Sequence, residues 1–188
     1  MFKDLFSRLI SLIFKPSETW GKLKERGEDE ETFLSHFLYP LIGMVALAAF
    51  LGVLFSYKEF NFEIALKSAI KALVSYAGGF FLSVYILNEV WQSMFKRPKD
   101  TKLCQSFVGY SSSVMFLVSI VLSLLPEFFF LYAVILYTPY LIWEGAVPYM
   151  EVSEKEQIRF SMLASLIIML PPIIIGYLLF MMMPGLRY

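Results

Sequence analysis

The chain has 188 residues, of which 58% are hydrophobic and 18% are aromatic, and its formal net charge is zero. Soluble domains are about 45–50% apolar, so this excess, which is gathered into blocks, predicts an all-α polytopic membrane protein. A zero net charge offers no basic field for nucleic acid. A single cysteine and a single histidine, Cys104 and His36, exclude an internal disulfide and argue against a metal centre.

Residues 1–14, "MFKDLFSRLISLIF", predict an amphipathic helix that is too short and too charged to span a bilayer. Phe2, Leu5, Phe6, Leu9 and Ile13 share one face at helical spacing. Two arrangements remain open: the helix lies in the headgroup layer of the inner leaflet, or its apolar face packs on the protein's own spans. The interspersed charges and the lack of a small-residue cleavage pattern argue against a secretory signal peptide.

The next stretch, "FKPSETW" at residues 14–20, predicts a joint at the cytoplasmic surface. Pro16 ends the first helix and opens the next, whose first turn favours the acid Glu18. Trp20 is an interfacial anchor by residue type. Pro16, Glu18 and Trp20 are therefore candidate interfacial or partner-binding residues. We expect a cytoplasmic segment over residues 1–33 and a membrane domain over 34–188.

Five apolar stretches are long enough to cross the bilayer as helices. They cover residues 37–57, 72–95, 103–126, 128–150 and 160–186. Only Pro126 and Glu127 separate the third span from the fourth, which predicts an antiparallel hairpin. Asn61 is the expected N-cap of a lead-in that lengthens the second span to about 34 residues, with a hinge at Gly78–Gly79 among the alternatives.

Two features of the spans indicate how they bend and pack. Prolines at Pro40, Pro139 and 171–172 predict bends, which are either packing kinks or breaks that line a binding site. Small residues at Ser75, Gly79 and Ser83 predict a close-packing face. Its partner is another helix of the chain or a second copy, so a homo-oligomer remains open.

Basic residues predict the orientation. Lys and Arg number 12 on the side of the N-terminus and 4 on the other, the latter being Lys58, Lys67, Lys71 and Arg187. Cytoplasmic loops are enriched in Lys and Arg, which places the N-terminus in the cytoplasm and the C-terminus outside.

Three motifs in this order resemble the Yip family of five-span membrane proteins, in particular its short bacterial members. They are Pro16-x-Glu18-Thr19-Trp20, "VGYSSSV" at 108–114 and "IWEGAVPYMEVSEKEQ" at 142–157. The chain departs from the family at Val114, where a proline is frequent, and lacks the long cytoplasmic region of eukaryotic members. The resemblance implies a bacterial inner membrane protein, and the bacterial relatives are mostly without an assigned activity. Eukaryotic relatives are tied to Rab GTPases and vesicle traffic, a role that the departures leave in doubt here.

Polar groups within the spans are the remaining candidates for chemistry. Glu89 and Glu144 lie inside apolar stretches, each about one and a half turns from the cytoplasmic end and each near a tryptophan. An ionisable group there is either a proton- or cation-linked site or an interfacial, hydrogen-bonded side chain. Asn88, Gln92 and Tyr110 are candidate hydrogen-bonding partners across helices, as are Ser111–Ser113.

Two functions are therefore open. The first is a non-enzymatic scaffold, membrane-shaping element or partner-binding module, whose partners are the bilayer and a protein at the cytoplasmic face. The second is a proton- or cation-linked transporter or channel that uses Glu89 and Glu144. The sequence contains no nucleophile–base pair, phosphate loop or HExxH motif, so catalysis and a bound cofactor are not expected. We favour the first function, the non-enzymatic scaffold or partner-binding module.

Overall fold

The computed structural model describes residues 2–56 and 60–184, and these ranges are helical apart from short loops. The helices are α1 (Phe2–Phe14), α2 (Pro16–Arg26), α3 (Glu30–Phe33), α4 (Tyr39–Ser56), α5 (Phe62–Phe95), α6 (Thr101–Ser111), α7 (Ser113–Leu124), α8 (Thr138–Ala146) and α9 (Glu154–Met182). A π-helical turn, Leu34–Leu38, joins α3 to α4, and a 3-10 segment, Pro126–Tyr137, joins α7 to α8.

The expected all-α polytopic fold is confirmed. Within the described ranges, four helical stretches are long and apolar enough to cross a bilayer: Glu30–Ser56, Phe62–Phe95, Pro126–Ala146 and Glu154–Met182. The pair α6 and α7, bent by about 40° at its break, makes a fifth. The ends of the first and fifth predicted spans, and the Lys58 and Arg187 used for the orientation, lie outside the described residues.

Hydroxyl groups explain the bend between α6 and α7. The Ser112 hydroxyl donates to the carbonyl of Val108 at 2.8 Å, and the Ser113 hydroxyl donates to that of Tyr110 at 2.6 Å. Serine side chains that bond the preceding turn bend helices. The sequence predicted bonds from these serines to other helices, and for Ser112 and Ser113 that prediction is wrong, since both bond within their own segment.

The second span is one unbroken helix with its lead-in. The side-chain oxygen of Asn61 accepts a hydrogen bond from the backbone N–H of Ile64 at 3.1 Å, which confirms the predicted N-cap. The helix α5 continues through Gly78–Gly79 without a hinge. Its beginning and the ends of α4 and α9 lie at one end of the bundle, which we call the distal end.

Helices α5 and α9 pack closely through the small residues of α5. A Cβ atom on Gly79 would fall 2.7 Å from the backbone of Pro172. A proline has no N–H, so Pro171 leaves the carbonyl of Ile167 without its helical donor. The Ser83 hydroxyl donates to this carbonyl at 2.7 Å. The close-packing face predicted at Ser75, Gly79 and Ser83 is thus used within the chain.

The prolines of the spans differ in their effect. Pro171 and Pro172 lie inside the continuous helix α9, so no break occurs there. Pro40 is the second residue of α4, just after the π-helical turn, and Pro139 lies in the first turn of α8 after the 3-10 segment. Both of the latter mark a change of helix type, as expected where a backbone donor is missing.

The N-terminal helices pack against the spans at the end opposite the distal end, which we call the α1–α2 end. Leu5, Leu9 and Leu12 of α1 are at most 1% exposed and belong to the same hydrophobic cluster as Trp20 and the spans. One of the two arrangements left open by the sequence, packing on the protein itself, is therefore present. The Phe2 side chain lies outside the described structure.

Candidate functional site

Three polar side chains from distant parts of the chain meet at the α1–α2 end. The guanidinium of Arg8 donates to the Glu28 carboxylate at 2.6 Å and to the Tyr110 hydroxyl at 3.3 Å. Tyr110 also donates to the same Glu28 oxygen at 2.9 Å. The side chains of Arg8 and Glu28 are only 11% and 13% exposed. This triad ties α1, the acidic linker and α6 together.

The triad continues outward through Asp4. The Arg8 guanidinium donates to the Asp4 carboxylate at 2.6 Å, and this bond holds the pKa of Asp4 below its usual value. A largely buried ion pair such as Arg8–Glu28, with shared hydrogen bonds, fixes geometry more reliably than it adds stability. The sequence named Tyr110 as a hydrogen-bonding residue but gave no sign of its partners, because Glu28 lies in a charged linker that resembles solvated loop.

The Trp20 side chain fills a socket between helices. Its indole N–H donates to the Leu141 carbonyl at 3.0 Å, and its ring lies 5.3 Å from that of Phe107 and 5.0 Å from that of Tyr149. Gly145 forms the floor of the socket. Trp20 is fully buried, so its predicted role as an interfacial anchor is not what the structure shows. The absence of a side chain at Gly145 makes room for the indole inside the protein.

The other residues of the predicted joint divide between core and surface. Pro16 opens α2, as expected, and is buried, whereas Glu18 is exposed and lies 4.0 Å from Lys22. The Thr19 hydroxyl donates to the carbonyls of Lys15 and Ser11 across the turn between α1 and α2. Of the three candidate partner-binding residues, only Glu18 is accessible.

The two acids inside predicted spans have separate surroundings. Glu89 accepts an ion-pair hydrogen bond from Lys99 of the loop after α5, and its side chain is 43% exposed. Glu144 accepts a hydrogen bond from the Ser17 hydroxyl, which ties α8 to α2. Neither carboxylate lines the cleft between α1 and α2 or the cleft at the distal end.

Asn88 holds the loop between α5 and α6. Its side-chain oxygen accepts from the backbone N–H of Asp100 at 3.0 Å, and its amide donates to the Thr101 hydroxyl at 3.2 Å. Gln92 is exposed and makes no side-chain hydrogen bond to another described residue. In the described part of the chain no three His, Cys, Asp or Glu side chains are grouped so as to hold a metal ion.

Helix α1 has a second apolar face that the sequence did not separate from the first. Phe6, Ile10 and Phe14 are 46%, 55% and 78% exposed, beside the buried leucines. Their spacing of four residues places them in one line along the helix. The run "LISLIF" could have indicated this second face, because its apolar side chains surround more of the helix than one packing contact requires. Helix α1 is therefore apolar both towards the protein and away from it.

A cleft of about 530 Å³ separates α1 from α2 on the polar side. Its lining includes Asp4, Lys15, Glu18 and Lys22, so it presents charges of both signs. Arg8 of the triad also lines this cleft.

Comparison with known families gives one match. The family model described as the Yip1 domain matches residues 10–183, which is nearly the whole chain. No curated protein and no solved structure matches the chain.

Proposed function

The chain belongs to the Yip1 domain family, and on that premise we propose that it is a non-enzymatic scaffold that organises the membrane by inserting α1 into one leaflet. The outer apolar face of α1 is the observation that carries this proposal. Phe6, Ile10 and Phe14 remain 46–78% exposed in the described structure.

The attachment of α1 distinguishes it from a free amphipathic helix. Its inner face is buried in the hydrophobic core, and the triad of Arg8, Glu28 and Tyr110 fixes its position. A free helix binds and leaves the headgroup layer reversibly, whereas an attached helix keeps its apolar face at a set depth, about 5–10 Å into the boundary between headgroups and acyl chains. Such a wedge expands one leaflet and favours curvature.

The leaflet concerned is the cytoplasmic one in this proposal. The excess of Lys and Arg on the side of the N-terminus supports a cytoplasmic N-terminus and an external C-terminus, and the resemblance to short bacterial members supports the bacterial inner membrane. A cysteine at the exposed Glu18, in a Cys104→Ala background, would react with an impermeant thiol reagent only from the cytoplasmic side. Reaction from the outside would refute the orientation.

A protein partner at the same face is part of the proposal. The charged cleft between α1 and α2, with the accessible Glu18 on its wall, supports this binding role. The small-residue face of α5 gives no support to a homo-oligomer, because α9 occupies it.

The transport alternative has weaker support. Glu89 is paired with Lys99, and Glu144 accepts from Ser17. A carboxylate that binds and releases a cation needs a path to water through the membrane. Neither group lines the clefts described above or below.

Vesicle shape tests the scaffold proposal. The protein is reconstituted in liposomes, and their diameters are measured by electron cryo-microscopy for the wild type, a Phe6→Ser/Ile10→Ser/Phe14→Ser variant and a matched Phe6→Leu/Ile10→Leu/Phe14→Leu variant. We expect smaller or tubular vesicles with the wild type and the leucine variant, and spherical vesicles of the original size with the serine variant. Equal shapes for the wild type and the serine variant would refute the proposal.

A further inference from the structure

A second cleft, of about 600 Å³, opens at the distal end between α4, α5, α7, the 3-10 segment and α9. Its wall carries Lys71 and hydroxyl groups that include those of Ser68, Ser119, Ser123 and Tyr132. Lys71 and Glu89 are 18 residues apart on α5, or about 27 Å at 1.5 Å per residue. The cleft therefore lies near the membrane surface opposite the α1–α2 end.

Among the residues that the structure describes, no acidic side chain neutralises the positive charge of this cleft. Lys71 is half-buried, and none of the described acidic side chains lines the cleft or forms an ion pair with Lys71. Its ammonium lies 5.5 Å from the centre of the Phe180 ring, which stabilises a cation without neutralising it. The neighbouring Lys67, one turn earlier, differs in this respect, because it pairs with Glu63.

The hydroxyl groups complete the pattern. Ser68 and Ser123 make no side-chain hydrogen bond to another described residue, so their O–H groups are available as donors. A cation together with several hydroxyl donors and no acid matches an anion rich in acceptor oxygens. The exposed apolar side chain of Ile173 also lines the cleft, which suits a ligand that carries acyl chains.

We propose that the distal cleft binds a phosphate group, supplied by an anionic phospholipid of the leaflet at that end. Lys71 provides the charge, and the hydroxyl groups of Ser68 and Ser123 donate to the phosphate oxygens. Inorganic phosphate has the same chemistry without the acyl chains, and it is the alternative source. The site is independent of the wedge proposed for α1, because the two lie at opposite ends of the bundle.

Native mass spectrometry of the full chain in detergent tests this site. The probes are phosphatidylglycerol, zwitterionic phosphatidylcholine and inorganic phosphate, each added to the wild type and to Lys71→Gln, Lys71→Arg and Lys67→Gln. Lys67→Gln is the matched control, because it removes the same charge one turn away from the cleft. The thermal unfolding midpoint of each variant shows that it is folded.

We expect the wild type, Lys71→Arg and Lys67→Gln to retain phosphatidylglycerol in preference to phosphatidylcholine, and Lys71→Gln to bind it about tenfold more weakly, as for loss of one charge-assisted hydrogen bond. Phosphate binding that depends on Lys71, without lipid binding, would support the site and identify the free anion as its ligand. Equal lipid binding by the wild type and Lys71→Gln, with no effect on phosphate, would overturn the proposal. Equal losses in Lys71→Gln and Lys67→Gln would also overturn it, since they would indicate non-specific attraction to charge.

Discussion

The Trp20 indole lies directly on Gly145, so that a Cβ atom at residue 145 would fall 2.5 Å from Cε2 of the ring. This contact joins α2 to α8, which are far apart in the sequence. Trp20, which the sequence predicted to be a membrane anchor, therefore lies at the centre of the packing between the N-terminal helices and the spans.

Gly145→Ala is expected to destabilise the protein. The added methyl group must displace the buried indole or α8, and overpacking of this kind costs about 1–3 kcal/mol. Gly43→Ala is the matched control, because Gly43 is also helical and a Cβ atom there would meet no neighbouring atom within 4 Å. The measurement is the thermal unfolding midpoint in detergent. The control should be neutral or more stable than the wild type, and equal effects of the two variants would contradict the socket.

Gly79→Ala should separate α5 from α9, whereas Gly78→Ala should not. A Cβ on Gly79 meets the backbone of Pro172 at 2.7 Å, while one on Gly78 reaches only the flexible end of Ile175 at 3.4 Å. We expect a lower unfolding midpoint for Gly79→Ala alone. If Gly78→Ala destabilised the protein as much, the close approach of the two helices would be refuted.

Ser83→Ala should cost about 1–3 kcal/mol, because it leaves the Ile167 carbonyl without a donor inside the bundle. Ser165→Ala is its control on α9. The Ser165 hydroxyl bonds the carbonyl of Ser161 within the same helix, where that carbonyl retains its backbone donor. Unfolding midpoints of both variants give the comparison. Similar unfolding midpoints for the two variants would show that the Ile167 carbonyl, which lacks a helical donor because of Pro171, finds another hydrogen-bond donor.

The triad of Arg8, Glu28 and Tyr110 predicts strong coupling between its members. Glu28→Leu leaves the largely buried Arg8 guanidinium with only the more exposed Asp4 as its acidic partner, so we expect a larger loss of stability than in the double variant Arg8→Met/Glu28→Leu, which removes both charges. The free energies of unfolding of the wild type, Arg8→Met, Glu28→Leu and the double variant give the coupling energy. Additive losses would mean that the two side chains do not interact.

Periodicity and length predicted most of the fold. Apolar stretches identified the spans, and Asn61 and Pro16 were placed correctly at the starts of α5 and α2 because caps and first-turn prolines act locally. The bend at Ser112 was not predicted. The sequence does not distinguish a serine that hydrogen-bonds to its own helix from one that hydrogen-bonds to a neighbouring helix.

The contacts that build the sites could not be read from the sequence. Nothing local relates Glu28 to Tyr110 or Trp20 to Gly145, because each pair is joined only by the packing of α1 and α2 on the spans. Lys71 was counted as an orienting charge, and only the fold places it in a cleft with hydroxyl groups. The sequence predicted a similar membrane depth for Glu89 and Glu144. In the structure each has a different hydrogen-bond partner, Lys99 and Ser17 respectively.

The depth of α1 in the bilayer decides whether this helix inserts into a leaflet. A fluorophore is attached to a cysteine at position 10, or at position 22 on the polar side of α2, in a Cys104→Ala background, and quenching by lipids brominated near the headgroup is measured in liposomes. The side chain of Lys22 is 77% exposed and provides the aqueous reference. We predict strong quenching at position 10 and little at position 22. Equal, weak quenching at both positions would show that the outer face of α1 lies in water and would refute its insertion into the leaflet.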